Sequence, residues 1–171
     1  MRKYYMLERN GVEADVYIFG DVTSWPWEES DVSSYTLSKE LQALDAETIN
    51  VHINSYGGEV SEGLAIYNML KASRAIVRTY CEGFACSIAS VIFMAGDERY
   101  MRNSSMLFIH NAWLSTSGNA AQLRKDADDL DKITQASVAA YMSRVSIDET
   151  ELKTLLDNET WLLPSEALDM G

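Results

Sequence analysis

Residues 83–96, GFACSIASVIFMAG, carry no charged side chain and are almost wholly small or apolar. Such a run has to be buried, so the rest of the chain must supply the layers that cover it. Yet it is broken by Gly83, Cys86, Ser87 and Ser90, small residues where a purely structural helix would carry leucines.

The flanking segments set the type of layering. Residues 13–20, 49–55 and 75–83 are rich in β-branched and aromatic residues and read as strands. Between them, 33–45 places Leu37, Leu41 and Leu44 at helical spacing behind Ser33 or Ser34 as cap, and 60–72 does the same with Val60, Leu64, Tyr67 and Leu70. Ser24–Trp25–Pro26–Trp27 is a turn. The third strand ends at Cys81, Gly83 makes a sharp turn, and 85–96 is the apolar helix, with Ser87 in its first turn. Residues 98–112 hold two short strands about a polar turn at Arg102–Ser105. Residues 119–145 form a long amphipathic helix with Leu123, Leu130, Ile133 and Tyr141 on one side and Asp and Lys on the other. Thr150–Leu156 is a further helix, and Pro164 and Ser165 open a last one ending at Gly171. Strands alternating with helices of this length predict a single α/β domain over 1–171 with a largely parallel sheet.

The net charge of −12 argues against a nucleic-acid partner and against an anionic membrane surface, both of which need clustered Lys and Arg. No apolar run reaches the ~20 residues that span a bilayer. The opening MRKYYMLERNG has no apolar segment after its basic start, unlike a secretion signal. Cys81 and Cys86 lack the C-x-x-C spacing of a redox pair or metal knuckle, and two free thiols fit a reducing cytoplasm. With two histidines in the chain, a zinc site is not expected, and no cofactor is implied.

In parallel sheets ligands sit at the carboxyl ends of strands, next to helix starts. Two loops meet that description, Ser55–Gly58 and Glu82–Ser87. A serine at such a point is most often a cap, but it is also where an acyl-transfer nucleophile would stand. The Gly57–Gly58 pair, by itself a common turn, would free a backbone N–H that joins that of Ile88 in an oxyanion hole. Of the two histidines, His52 lies inside a strand as a packed or edge residue, whereas His110 ends one, the better location for a base. Asp157 and Glu159 are the candidate carboxylates to orient it.

Four segments carry a resemblance. INSYGGEVSEGLAIYNML resembles the N-S-P-G-G segment and following helix of the Clp protease proteolytic subunit family, and GFACSIASVIFMAG its nucleophile segment. MLFIHNAW is similar to its histidine segment, and DNETWLLPSEALDMG to its acid segment. The four occur in the family's order from about residue 13 onward. The ETW triplet, the IASVIFMAGD run and the GNAAQLRKDADDLDKI helix look closest to the shorter branch of prophages and phages associated with head maturation.

The resemblance implies a Clp/crotonase-like fold of repeated β-β-α units with a protruding handle, made of the 119–145 helix and the strand before it. It implies Ser87 as nucleophile, His110 as general base, and the N–H groups of Gly58 and Ile88 as oxyanion hole. Alignment backwards from Trp161 puts Glu159 in the acid position, with Asp157 as the alternative. Extended substrate would pair with Gly58, Glu59 and Val60 and with Asn111, Ala112 and Trp113. The family implies a homo-oligomeric ring, heptameric or doubled, enclosing the sites. The phage branch implies a scaffold or capsid precursor as substrate, without an ATPase partner. The family continues for a short strand beyond the position of Gly171, which implies truncation or a disordered tail.

Tyr56 replaces the family's usual Pro, and Cys86 stands where Ala is usual, making a Cys–His pair a chemical alternative. Two other functions remain open: a crotonase-like acyl-CoA enzyme, which needs no Ser–His pair, and an assembly protein that keeps the ring without the chemistry.

Overall fold

The computed structural model describes residues 6–9, 12–43 and 46–171, so Leu44 and most of the opening MRKYYMLERNG lie outside the described residues. Strands β1 (Met6–Arg9), β2 (Glu13–Ile18), β3 (Thr48–Ser55), β4 (Ile76–Cys86), β6 (Met106–Ile109) and β7 (Thr160–Leu162) form one sheet in that spatial order, and β5 (Glu98–Met101) also pairs with β4. The pairings β2–β3, β3–β4, β4–β5 and β4–β6 are parallel, while β1–β2 and β6–β7 are antiparallel. The helices are α1 (Ser34–Ala43), α2 (Val60–Lys71), α3 (Ile88–Phe93), α4 (Ala120–Met142), α5 (Glu149–Asp157) and α6 (Pro164–Asp169). This is the mixed α/β architecture with a mainly parallel sheet that the alternation predicts.

Strand alternation divides the sheet into two unlike faces. Val16, Ile18, Val51, Ile53, Val77 and Cys81 are buried in one apolar core with Leu37, Ile66, Leu70 and the whole of α3. Each large apolar side chain so covered contributes roughly 1.5–3 kcal/mol. The intervening residues Tyr17, His52, Tyr80 and Tyr100 are register partners on four adjacent strands, and their rings stack at 4.9, 5.0 and 5.0 Å.

The structure corrects the boundary that matters most. β4 does not stop at Cys81, and Gly83 is not a turn: the strand runs on to Cys86, and the helix begins only at Ile88. The cause is non-local. β4 exchanges one neighbour for another along its length, with Arg78–Cys81 pairing β5 and Phe84–Cys86 pairing β6. Gly83 lies where the register against β3 shifts, and a Cβ there would come within 2.4 Å of Asn54 Oδ1. That same oxygen accepts the N–H of Phe84 at 3.1 Å. A six-residue α3 also leaves less dipole to exploit than the expected 85–96 helix.

Two further differences concern the chain after β6. β7 is a three-residue strand that the sequence reading does not anticipate, and it pairs Thr160–Leu162 against Ile109–Leu107. The strand implied before α4 is not formed in the single chain: residues 110–119 are irregular. α4 begins in a capping box, Asn119 accepting from Ala121 and Gln122 while Gln122 answers back to Asn119. It buries only Val138, Ala140 and Tyr141, near its C-terminal end, and leaves Leu123 and Ile133 exposed.

Candidate active site

The carboxyl ends of β3, β4 and β6 lie side by side, and each delivers one part of the site. β3 ends at Ser55, whose hydroxyl donates to Gly20 O at 2.6 Å and accepts Gly57 N–H at 3.0 Å. Val22 then clamps the following residues, its N–H donating to Gly57 O at 2.8 Å and its carbonyl accepting from Glu59 N at 2.7 Å. The N–H of Gly58 makes no hydrogen bond among the described residues. Gly57 and Gly58 have φ of 98° and 145°, which residues with a side chain rarely adopt. Tyr56, in place of the family's usual Pro, is exposed and sets its ring edge-on to Phe84, 6.0 Å between centroids.

β4 ends at Cys86, and Ser87 turns the corner into α3 with φ 54° and ψ −130°. A non-glycine residue held there is strained, at a cost of about 1–3 kcal/mol. The corner is held from three sides. Ser87 N–H donates to Phe108 O at 2.8 Å, Ser87 O accepts from Ser90 N at 3.0 Å, and the Ser90 hydroxyl also donates to that carbonyl, at 2.5 Å. Behind Ser90, 2.6 Å away, is the hydroxyl of Tyr141 on α4. Since the Ser90 proton is committed to Ser87, Tyr141 donates to Ser90. Burial pushes the Tyr141 hydroxyl well above its ordinary pKa and keeps that proton in place.

Ser87 therefore lies one residue before α3, as its N-cap, and not in its first turn. Its side-chain oxygen makes no hydrogen bond among the described residues, and neither does the N–H of Ile88. Gly57 packs onto this corner so closely that a Cβ on it would lie 2.8 Å from Ser87 Cβ and 3.2 Å from Ile88 N. From α2, Gly63 makes room in the same way for Ile88, whose Cγ1 a Cβ would meet at 2.1 Å. Gly57 thus seats the turn against the corner, where the Ser87 hydroxyl and the N–H of Ile88 are unpaired among the described residues.

β6 supplies His110, two residues beyond Phe108, the partner of Cys86. Its Nδ1 is 2.6 Å from the carbonyl oxygen of Asn111, and the Asn111 side chain donates to Asp157 Oδ1 at 2.7 Å. Neither Asp157 nor Glu159 makes a hydrogen bond to the ring, nor does Ser87. Glu159 follows α5 with φ 50° and an exposed side chain. A row of rings links the two sides of the site: Tyr56, Phe84, Trp161, Phe108 and His110 follow one another at centroid spacings of 6.0, 5.3, 4.5 and 5.3 Å.

The family model described as Clp protease matches residues 28–171. The chain belongs to the Clp protease family. It is 33% identical over 138 residues to the ATP-dependent Clp protease proteolytic subunit of Deinococcus radiodurans, a match covering 77% of this chain and 68% of that protein. Membership makes it a peptidase by family.

The other candidates fall away from the site. His52 belongs to the stacked ring ladder, with Nδ1 2.7 Å from Glu82 Oε1, and Glu82 is held in turn by Arg102 through Nε at 2.7 Å. Cys86 is buried, and desolvation, reinforced by Cys81 nearby, pushes its thiol up to about 11. Among the described residues no cluster of His, Cys, Asp or Glu is arranged to hold a metal ion, and no helix is long and apolar enough to cross a membrane.

Sequence reasoning missed four supporting residues. Ser55 and Ser90 place the turn and the corner, Tyr141 reaches Ser90 from α4, and Thr134 receives the N–H of Ala112 at 3.2 Å. A signal existed for Ser90, a hydroxyl inside an otherwise apolar run. None existed for Thr134, one polar residue among many on the charged side of a long helix.

Proposed function

We propose that this chain is a serine endopeptidase of the Clp type. The observation that carries the reading is the strained Ser87 corner, with its side-chain oxygen and the N–H of Ile88 free and Gly57, the neighbour of Gly58, packed directly against it. In the mechanism, Ser87 Oγ attacks the peptide carbonyl while His110 Nε2 takes its proton. The two N–H groups stabilise the negative oxygen of the tetrahedral intermediate, a contribution of roughly 3–4 kcal/mol per donor in comparable sites. His110 returns the proton to the leaving amine, and water, activated by the same ring, releases the acyl group from Ser87.

Backbone at Gly58–Val60 and Asn111–Trp113 pairs with an extended substrate as an added strand. The ring row from Tyr56 to Phe108 favours apolar side chains on it. Of the two carboxylates, Asp157 has the better support, because it is joined to His110 through Asn111, whereas Glu159 keeps the family register. Chains associate into rings, and the handle, whose α4 surface carries the exposed Leu123 and Ile133, joins two rings face to face. The enclosed chamber admits unfolded chains and excludes folded ones. A prophage role in processing scaffold or capsid precursors, without a dedicated ATPase and in the cytoplasm, extends the reading on the strength of the sequence resemblance.

The absence of a Ser87–His110 hydrogen bond favours one variant of this reading, in which the isolated chain is latent and assembly draws the pair together. The test is hydrolysis of unfolded casein without nucleotide, by wild type and by Ser87→Ala, with the assembly state measured in parallel. Cleavage by the wild-type ring that vanishes in Ser87→Ala supports the proposal. Cleavage that survives the substitution contradicts it.

A further inference from the structure

Two hydrogen bonds hold the peptide unit between Asn111 and Ala112, and a third holds the Asn111 side chain beside it. Its carbonyl oxygen lies 2.6 Å from His110 Nδ1, and its N–H donates to Thr134 Oγ1, near the middle of α4, at 3.2 Å. The Asn111 side chain anchors the same segment to Asp157, the last residue of α5, at 2.7 Å. A peptide unit is a rigid plate whose N–H and carbonyl point in opposite directions. Holding the N–H on Thr134 therefore fixes where the carbonyl points. A carbonyl oxygen can only accept, so the proton on the neutral His110 ring must sit on Nδ1. Nε2 is then left with its lone pair, which is the form that takes a proton from a hydroxyl.

We propose that Thr134 and Asp157 are positioning residues for His110, acting through the Asn111–Ala112 peptide to hold the ring in its Nδ1–H form. A backbone carbonyl thereby does what a carboxylate on the ring does in a Ser–His–acid triad. The inference rests on the reading of His110 as general base. It adds that the base is oriented from two helices at once. The Thr134 contact makes α4 part of the site, so a displacement of α4 against the sheet turns the carbonyl away from the ring. The carboxylate of Asp157 serves as an acceptor for an amide, so its charge is dispensable while its oxygen is not. Glu159, whose carboxylate makes no hydrogen bond among the described residues, is not required for the ring's orientation.

The substitutions are chosen to separate hydrogen bonding from shape. Thr134→Val removes the acceptor and keeps the volume, and Thr134→Ser restores it. Asp157→Ala removes the second anchor, and Asp157→Asn keeps an acceptor oxygen. Two readouts are taken on the full chain: the rate at which a fluorophosphonate modifies Ser87, and the ring nitrogen signals of ¹⁵N-histidine-labelled protein by solid-state NMR, with His110→Gln assigning the two histidines.

The expected result is an Nδ1–H signature for His110 in wild type, Thr134→Ser and Asp157→Asn, with labelling within about threefold of one another. In Thr134→Val and Asp157→Ala the signature shifts toward Nε2–H, and labelling slows by roughly tenfold or more. Unchanged signals and labelling in those two variants would overturn the positioning role and leave the serine reading intact. An Nε2–H wild type that still labels would do the same. A wild type that fails to label as an assembled ring would overturn the serine reading itself, and this inference with it.

Discussion

Gly57 lies against Ser87 with no room for a side chain between them: a Cβ at 57 would be 2.8 Å from Ser87 Cβ and 2.7 Å from Cys86 O, at a φ of 98°. The glycine is required twice, by its backbone angle and by the contact. Gly57→Ala is expected to cost about 1–3 kcal/mol in stability from backbone strain. It should also push the Gly58 N–H out of line, slowing fluorophosphonate labelling by at least ~100-fold, the scale of losing one oxyanion donor. Thermal unfolding and labelling rates on the same preparation check both.

The hydroxyl chain from Tyr141 through Ser90 to the Ser87 carbonyl makes an asymmetric prediction. Tyr141→Phe removes one donor and leaves Ser90 still bonded to Ser87, at a cost of about 1 kcal/mol. Ser90→Ala strands the fully buried Tyr141 hydroxyl and loosens the corner, at a cost of roughly 1–3 kcal/mol. Chemical denaturation should rank the two in that order. A reversed order would mean that the chain does not hold the corner.

Cys86 is next to the nucleophile in sequence, yet its buried thiol titrates at about 11. Near pH 7 about one thiol in ten thousand is ionised, too few to compete as a nucleophile. Cys86→Ala is expected to keep labelling within about threefold of wild type and to cost about 1 kcal/mol from the lost sulfur. Loss of labelling in this variant with stability retained would point to a Cys–His enzyme instead.

The loop that buttresses Gly58 depends on two ionised carboxylates. Burial works to raise the Asp31 pKa, but N–H bonds from Glu28, Trp27 and Asp21 overcome it and hold it low. Glu59 is held low by the hydroxyls of Ser24 and Thr23 and the N–H of Ser24. A lowered folded pKa means stabilisation that is present above the ordinary carboxylate range and lost as pH falls through the folded value. The loop carrying the exposed Trp25 and Trp27 should therefore loosen below about pH 4, read as a reversible change in tryptophan fluorescence. An Asp31→Asn, Glu59→Gln variant should lack that transition.

The layered architecture was legible because strand and helix periods alternate cleanly. The turn Ser55–Gly58 was legible too, since paired glycines between a strand and a helix mark a backbone that takes up positive φ. What the sequence concealed depends on partners distant along the chain. Gly83 looks like a turn until Asn54 and β6 are in place beside it, and only then does β4 extend to Cys86. The same error put Ser87 inside a helix instead of at its strained entrance. The carboxylate question had a similar origin. Register points to Glu159, whereas the contact made in space is the one from Asn111 to Asp157, which counting back from Trp161 does not reveal.

The central claim is that Ser87 is an activated nucleophile, and covalent labelling tests it most directly. Wild type and Ser87→Ala would each be treated with a fluorophosphonate and read by intact mass, with the assembly measured by light scattering on the same samples. The account predicts one adduct per chain on a ring-sized assembly, absent in Ser87→Ala. A folded, ring-sized wild type that takes up no adduct would contradict it and leave the protein as a Clp-family assembly without serine chemistry.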